Sequence, residues 1–434
     1  MKVSVIGLGK LGAPLAVSLA AGGLEVYGAE QSPHRLELLA RDGADLGEPD
    51  LARMLAENSS RLHLGGDTAA AVAAAEVTFM IVPTPSHPLG HFDLSLVLQA
   101  CRQVGEALAR KEDGHVVVLV STVMPSDCAD SIIPALESAS GKRCGQQFGF
   151  CYNPAFIALG SVIRDLRNPD MVLIGESDTA AGSRLVEVQQ KMCLNQPPMM
   201  RTQIVNAEIA KLSLNTYVTM KISFANTLAR LCMQTPQADA RQVGKILGHD
   251  SRIGGKYLQP GLAYGGPCFP RDTGAFEAFA RSKGLGAPLA QATARVNQEQ
   301  KEFLVDWTLR NHRQGPIAVL GLAYKPGTPV CEESPGLALC QSLLEKGLKL
   351  RIFDPEAACD LPGAVFCRSA LECIETCEVV VLTTAWPEFS RLPGSVLAGK
   401  VVLDCWSLLD PATLPSSCHY QVLGENLCQE PQLS

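Results

Sequence analysis

The chain has 434 residues and a formal net charge of −7, with 47% hydrophobic and 19% charged residues. This is the composition of a globular protein with sizeable cores; the acidic balance argues against a nucleic-acid-binding surface, and no apolar run reaches the roughly 18 residues of a membrane span. The 16 cysteines follow no CxxC or zinc-type pattern, which favours a reduced, cytoplasmic protein without a bound metal.

The sequence predicts a strand, a glycine turn, a helix and a second strand over residues 2–30. An apolar strand at 2–6 precedes Gly7-Leu-Gly9-Lys-Leu-Gly12, and the strand at 24–30 ends in Glu30. In such a unit the glycines allow a tight turn, close approach of a pyrophosphate and packing of the helix on the strand. Glu30 would accept hydrogen bonds from ribose hydroxyls and repel a 2′-phosphate, which favours NAD over NADP. The alternative is an incidental glycine loop.

Two more apolar strands, at 77–82 and 115–120, each lead into a polar turn. The turns carry Thr84 and Thr122. Ligands of doubly wound sheets bind beyond the carboxyl ends of the strands, so both threonines are candidate cofactor or substrate contacts. The alternative is that both merely cap helices.

The segment 203–235 contains no Gly or Pro and predicts a long central helix. Lys211 and Asn215, four residues apart, share one of its faces, where the alternative is an ordinary solvated surface. Its apolar residues lie on more than one face, so we expect it to be buried against other domains and a second copy of the chain. A further helical stretch is predicted at about 272–311. The apolar residues that suggest burial of the segment 203–235 are Ile204, Ile209, Leu212, Leu214, Val218, Ile222, Phe224 and Leu228.

The segment GGPCFPRD at 265–272 places Cys268 between two glycines and a charged pair, Arg271 and Asp272. Nearby cations and helix ends favour the thiolate, the nucleophilic form of cysteine. A lone cysteine is more often a small buried apolar residue. In a chain that also carries a dinucleotide turn, however, a reactive thiol suggests oxidation of an aldehyde through a thioester.

A second α/β unit begins at Pro316, with strands near 317–325, 348–355, 378–389 and 400–406 and a helix at 334–347. Its first turn lacks a full glycine fingerprint, so it should bind something other than NAD. We expect residues 420–434 to be loosely held. The predicted fold class is α/β, with two Rossmann-like doubly wound domains (1–199 and 311–434) joined by a helical middle domain (200–310) that contains the long central helix.

Together these motifs make the chain resemble the UDP-glucose/GDP-mannose dehydrogenases over nearly its whole length. The resemblance rests on GLGKLG, VPTPSHPLGHFDLSLV, STVMP, YNPAFIALGSVIRDLRNPDMVLIG, AEIAKLSLNTYVTMKISFANTLA, GGPCFPRD, VLGLAYKPGT with ESP, and TTAWPEF. It implies oxidation of the C6 hydroxyl of a nucleotide sugar, most simply a UDP-hexose, to a carboxylate, with two NAD and no metal. It also implies a homodimer formed through the middle domain.

The resemblance implies a role for individual residues. The cysteine that forms the thiohemiacetal and thioester matches Cys268, the oxyanion-stabilising lysine matches Lys211, and the threonine that holds a water matches Thr122. Asn215 and Asp272 complete the expected catalytic set. The expected cofactor contacts are Gly7, Gly9, Lys10, Leu11, Gly12, Glu30, Arg35, Pro83, Thr84, Pro85, Thr122 and Arg271. The expected substrate contacts are Phe156, Ile157, Lys211, Asn215, Arg252, Tyr257, Leu258, Gly261, Gly265 and Lys325.

The chain departs from the family pattern at several positions. Two glutamates of the segment N/S-P-E-F-L-x-E-G, one of them the expected water-activating base, are Ala155 and Leu159 here. Glu332 replaces an arginine expected near phosphates, and Cys405-Trp406 replaces a glycine-arginine pair. The alternatives are therefore a member that stops at the aldehyde, one that transfers the acyl group, one that uses another base such as Asp272, or a non-catalytic binding paralogue.

Overall fold

The computed structural model describes residues 1–41, 47–87, 89–112 and 114–426. The chain divides into two compact units, Met1–Ser213 and Leu214–Ser434. The boundary falls inside one long helix, α9 (Ile204–Met233), which begins in the first unit and continues into the second. The division into domains at 1–199, 200–310 and 311–434 stays a prediction.

The first unit is an eight-stranded sheet with helices between its strands. In spatial order the strands run β3-β2-β1-β4-β5-β6-β7-β8; β6 and β7 pair antiparallel and the other pairs are parallel. The strands are β1 Lys2–Ile6, β2 Glu25–Ala29, β3 Leu62–Gly65, β4 Val77–Met80, β5 His115–Leu119, β6 Phe148–Tyr152, β7 Val172–Glu176 and β8 Met199–Gln203. The helices are α1 Gly12–Ala21, α2 Pro33–Arg41, α3 Leu51–Glu57, α4 Thr68–Ala74, α5 Ser95–Leu108, α6 Ile133–Ser140, α7 Val162–Arg167 and α8 Thr179–Met192.

Burial on both faces explains why the central strands of this sheet are almost uniformly apolar. β4 and β5 are buried at every position, as expected for parallel strands covered by helices on both sides. In the central order β3-β2-β1-β4-β5-β6, the chain adds strands outward on one side of β1 and then on the other, so the strand order reverses between β1 and β4. Ligands of such sheets bind beyond the carboxyl ends of the strands at this point. The sheet therefore brings the turns after β1, β4 and β5 to a single edge.

The second unit repeats this topology in a six-stranded, fully parallel sheet. Its order is β11-β10-β9-β12-β13-β14, the same doubly wound pattern with its reversal between β9 and β12. The strands are β9 Ile317–Leu320, β10 Leu350–Phe353, β11 Ala364–Phe366, β12 Val379–Leu382, β13 Val401–Asp404 and β14 His419–Val422. The helices of this unit, besides most of α9, are α10 Ala240–His249, α11 Phe269–Ser282, α12 Pro288–Asn311, α13 Pro335–Glu345 and α14 Ala370–Ile374. The predicted fold class, two doubly wound sheets and a helical middle region, is confirmed.

Three details of the predicted elements are wrong. The strands predicted near 317–325 and 378–389 end earlier, at Leu320 and Leu382. The stretch 272–311 is two helices, α11 and α12, because Gly284 has a left-handed backbone (φ +70°) that ends the first, and Pro288 opens the second. Residues 420–434 are not loose throughout, because β14 pairs with β13 up to Val422. Positions 427–434 lie outside the described residues.

Within the described parts of the chain, no helix combines the length and apolar character needed to cross a bilayer. Across those same ranges, no group of three or more His, Cys, Asp or Glu side chains is arranged to hold a metal ion.

Candidate active site

The turn after β1 has the shape that a dinucleotide requires. Gly7 has φ +91°, and a Cβ there would collide with the carbonyl of Ile81. A Cβ on Gly12 would collide with the carbonyl of Gly7, so the start of α1 packs tightly against the turn. At Gly9 the position of a Cβ is open, with Arg35 Nη1 3.6 Å away. The turn is thus closed on its protein side and open at Gly9, and it fits the pyrophosphate of NAD.

The N-terminus of α1 lies at this opening. Leu11 is its N-cap residue, and among the described residues no side chain caps it. Lys10, next to it, is exposed. The first N–H groups of a helix attract phosphate oxygens, both through their hydrogen bonds and through the helix dipole.

Glu30 directly follows β2, and hydrogen bonds hold its carboxylate in place. Its carboxylate accepts hydrogen bonds from the N–H of Leu8 (2.9 Å) and of Ser32 (2.9 Å), and Arg35 Nη1 lies 3.3 Å from it. Burial raises the pKa of Glu30, but these two N–H groups and the guanidinium together outweigh burial and lower it. The side chain is therefore an anion at neutral pH, fixed beside the glycine turn.

We expect Glu30→Ala to weaken NAD binding more than NADP binding. The substitution removes the acceptor for the ribose hydroxyls and relieves the repulsion of a 2′-phosphate. Titration of both cofactors against the wild type and the variant would measure this. Tighter binding of NADP than of NAD by the wild type would contradict the assignment.

The threonines after β4 and β5 are joined to each other. The buried Thr84 hydroxyl donates to the carbonyl of Thr122, 2.8 Å away, across the two turns. Thr84 does not cap the following helix, since α5 begins at Ser95 with Leu94 as its N-cap. Pro83 and Pro85 on either side are exposed. This hydrogen bond joins the turns after β4 and β5 at the carboxyl edge of the sheet.

Lys211 is buried in the first unit beside the segment that follows β6. Its Nζ donates to the carbonyl oxygen of Ala155 (2.9 Å) and lies 5.0 Å from the ring centre of Phe156. Ala155, Phe156 and Ile157 are half-buried and line a cavity of about 40 Å³. Ala155, which stands where the family pattern has a glutamate, is therefore a direct hydrogen-bond partner of Lys211.

Cys268 is the N-cap residue of α11 and half-buried. The loop before it is held by residues 332–333. The N–H of Gly266 donates to the Glu332 carbonyl (3.0 Å), and a Cβ on Gly265 would collide with the Glu333 carbonyl. The N-terminal peptide dipoles of α11 favour a thiolate at this position.

A buried carboxylate lies one helical turn beyond Cys268. Asp272 has no exposed surface; its Oδ2 accepts from Asn215 Nδ2 (2.6 Å) and its Oδ1 from Arg271 Nε (3.0 Å). Asn215 is itself buried. A buried charge needs such partners, so this trio holds α11 and α9 in one arrangement. Three of the predicted site residues are thereby brought together.

The other predicted substrate contacts in the second unit have different surroundings. Leu258 and Gly261 are buried, whereas Tyr257 is about half exposed, with its ring 6.5 Å from that of Phe269. Lys325 Nζ lies 5.9 Å from the ring centre of Tyr324. Arg252 is paired with Asp250 (2.6 Å) at the surface, and no described contact joins it to Cys268.

Sequence reasoning did not single out Tyr324, whose ring packs against Gly266. A Cβ on Gly266 would lie 2.6 Å from two atoms of this ring. Burial raises the pKa of Tyr324, and the neighbouring Cys268 thiolate acts in the same direction. The aromatic residue in the GLAYK turn was the available sequence signal for this contact. Tyr324 nevertheless lies about 58 residues after the loop that it contacts, and a contact over that distance cannot be predicted from the local sequence.

The glycine turn and the acid that follows β2 define the first unit as a dinucleotide-binding domain of the NAD type. The chain belongs to the UDP-glucose/GDP-mannose dehydrogenase family. Three models of that family match in order: the NAD binding domain at 1–193, the central domain at 205–299 and the UDP binding domain at 318–411. It is accordingly a nucleotide-sugar 6-dehydrogenase, an oxidoreductase acting on a CH–OH group.

Similar proteins agree with this assignment. The chain is 34% identical over 423 residues to a GDP-mannose 6-dehydrogenase of Azotobacter vinelandii, covering 93% of this chain and 96% of the relative. It is also 34% identical over 418 residues to the UDP-glucose 6-dehydrogenase AglM of Haloferax volcanii, again covering 93% and 96%. A solved UDP-glucose dehydrogenase from Pyrobaculum islandicum has a TM-score of 0.86 at 32% identity, covering 97% of this chain and 96% of that one. The family, cofactor and enzyme class predicted from the sequence are confirmed.

Proposed function

We propose that the protein oxidises the C6 hydroxyl of a UDP-hexose to a carboxylate through a covalent intermediate on Cys268. The observation that carries this proposal is the position of Cys268 at the N-cap of the 14-residue helix α11, beside the buried Asp272–Asn215–Arg271 trio. The match of 318–411 to a domain described as UDP binding is the reason for proposing uridine; the same family includes GDP-mannose 6-dehydrogenases, to one of which the chain is equally similar.

In this mechanism NAD, when bound, accepts the hydride that leaves C6. Lys211 stabilises the alkoxide that develops on the C6 oxygen, because a buried cation interacts strongly with developing negative charge. The Cys268 thiolate attacks the resulting aldehyde; the S–C6 bond forms and the carbonyl π pair moves to oxygen. Loss of a second hydride, which would pass to a second NAD, lets the electron pair on oxygen re-form the C=O bond and gives a thioester. Water then cleaves the S–C6 bond, which releases the acid and restores the thiol.

Asp272 is best explained as a positioning residue. Both of its oxygens accept hydrogen bonds from side chains, and the group is fully buried. A general base must reach the proton that it abstracts, directly or through one water. These contacts therefore favour Asp272 as the support of Asn215 and α11 over the alternative in which it activates water in place of the lost glutamate.

The hydrolytic step is where this chain departs from the family pattern. At positions 155 and 159 the side chains are Ala and Leu, neither of which takes up a proton. Loss of a general base costs about 10²–10⁴-fold in the step it serves. A member that releases acid slowly, stops at the aldehyde or passes the acyl group to another nucleophile is the second candidate function, and Ala155 beside Lys211 is the observation that favours it.

Product analysis distinguishes these functions. The protein would be incubated with NAD and, in turn, UDP-glucose, UDP-N-acetylhexosamines and GDP-mannose, with NADH counted by absorbance and products identified by mass spectrometry. We expect two NADH and one acid per UDP-hexose. One NADH and an aldehyde would support the truncated reaction. Cofactor binding without turnover of any of these sugars would favour the non-catalytic paralogue.

We also propose a homodimer formed through α9. Tyr217, Phe224 and Leu231 follow one another at intervals of seven residues and are 59%, 51% and 60% exposed. A seven-residue repeat keeps large apolar side chains on one helix face, where a second copy of the same helix can cover them. Of the apolar residues used for the prediction from sequence, Leu212 is buried within the chain and Phe224 belongs to this exposed stripe.

The dimer should be lost when charges are placed on the stripe. We expect the wild type to scatter light as a dimer at micromolar concentration and Tyr217→Glu with Phe224→Glu to scatter as a monomer. Each covered side chain contributes about 1.5–3 kcal/mol by burial. Ile246→Glu, at a 69% exposed position of α10, is the matched control and should stay dimeric. A monomeric wild type would refute the proposal.

A cytoplasmic location is proposed from the thiols. Every cysteine among the residues that the structure describes is a thiol rather than half of a disulfide. The Cys268 thiolate of the proposed mechanism is best preserved in a reducing compartment. Cell fractionation with recovery of the activity outside the cytoplasm would contradict this location.

A further inference from the structure

Trp406 lies at the carboxyl edge of the second sheet and is fixed there by two hydrogen bonds. It follows β13, and its backbone N–H donates to Asp404 Oδ1 (3.0 Å). Its indole Nε1 donates to the carbonyl of Thr383 (3.0 Å), the residue after β12. The indole therefore bridges the ends of two neighbouring strands, next to the point between β9 and β12 where the strand order reverses.

Unlike the other two tryptophans of the chain, Trp406 keeps a large exposed surface. It is 37% exposed, whereas Trp307 and Trp386 are 7% and 6% exposed. Trp307 and Trp386 belong to the core of the second unit. An aromatic residue that is anchored on one side and open on the other, at the ligand-binding edge of a doubly wound sheet, presents a flat surface for a ring.

Gly261 is matched to this indole. A Cβ at position 261 would lie 2.7 Å from Trp406 Cζ3, so any larger residue would displace the ring. The backbone of Gly261 is already used inside the protein: its N–H donates to Asn226 Oδ1 (3.1 Å) and its carbonyl accepts from Gln300 Nε2 (2.8 Å). Gly261 therefore cannot readily move away, and its missing side chain is what keeps the indole in place.

We propose that the exposed face of Trp406 is the surface on which the nucleobase of the substrate stacks. This inference rests on the nucleotide-sugar substrate and adds the residue that contacts its base. An indole carries no charge to offer a phosphate, but every nucleobase has a π face, and stacking on an aromatic side chain is favourable. The match of 318–411 to a UDP binding domain includes Trp406.

The experiment measures binding of base-containing and base-free ligands to the full-length protein by calorimetry. UDP and GDP provide the base, and ribose 5-phosphate and inorganic pyrophosphate lack it. We expect Trp406→Leu, which keeps an apolar side chain without a π face, to weaken UDP and GDP binding about tenfold or more. Trp406→Phe should keep most of the affinity. Binding of the base-free ligands should be the same in all three proteins.

Two further variants complete the test. Trp307→Phe removes a buried indole that donates to Gln421 Oε1 and should leave UDP affinity unchanged. Gly261→Ala should weaken UDP binding as Trp406→Leu does, because the new methyl group displaces the indole. UDP should also protect the exposed Trp406 from quenching of its fluorescence by acrylamide in the wild type.

Three outcomes would overturn the inference. Equal UDP affinity in the wild type and Trp406→Leu would do so while leaving the enzyme class intact. Equal losses for UDP and pyrophosphate would show that Trp406 serves the phosphates or the fold rather than the base. Failure of the wild type to bind either nucleoside diphosphate would remove the proposed substrate as well.

Discussion

Replacement of Cys268 by serine is expected to abolish acid formation and to leave a slow first oxidation. Hydride removal from the alcohol needs no thioester, whereas the second oxidation needs the sulfur attached to C6. A serine hydroxyl at the same N-cap position is far less ionised than a thiol and is a poor substitute. We expect acid production to fall by 10³-fold or more, on the order of the loss when an enzyme's nucleophile is removed.

Intact-mass measurement after mixing with NAD and a UDP-hexose provides the direct readout. The wild type should carry an adduct of the sugar nucleotide, and Cys268→Ser should carry none. Cys418→Ser, at another half-buried thiol of the second unit, is the matched control and should retain both the adduct and the activity. Full acid production by Cys268→Ser would refute covalent catalysis.

Much of the fold could be predicted because its signals are local. The glycine turn and Glu30 are about 20 residues apart in one strand–helix–strand unit, and the apolar runs of β4 and β5 follow from burial on both faces. The break between α11 and α12 was missed because apolar and polar residues recur at helical spacing on both sides of 283–287. β14 was missed because its pairing with β13 is what makes a four-residue segment a strand.

The candidate site was predictable as residue types but not as contacts. Lys211 and Ala155 are 56 positions apart, and nothing in the local sequence pairs them. The same holds for Asn215 with Asp272 and for Gly261 with Trp406. A substitution at Ala155 could be recognised from the family pattern, but its significance depends on the hydrogen bond to Lys211.

Ala155→Glu is expected to speed the release of acid, because residue 155 is the hydrogen-bond partner of Lys211. The carbonyl of residue 155 accepts a hydrogen bond from Lys211 Nζ, so a glutamate side chain at this position would start close to that lysine. Residue 155 also lines a cavity of about 40 Å³, which offers space for part of the longer side chain. If the thioester forms but water lacks a base, the covalent intermediate accumulates in the wild type. Restoring the carboxylate should then speed acid release by about 10²–10⁴-fold.

Single-turnover experiments would follow the adduct on Cys268 by intact mass and the acid by chromatography. Ala155→Glu, alone and together with Leu159→Glu, should shorten the life of the adduct without changing the rate of the first NADH released. Ala158→Glu puts the same charge in the same loop, at another half-buried position, and should leave the adduct as long-lived as in the wild type. Rapid acid production by the wild type, with no adduct and no response to Ala155→Glu, would mean that another residue activates the water. In that case the loss of both glutamates has been compensated elsewhere in the protein, because hydrolysis of a thioester at that rate requires a group that takes the proton from water.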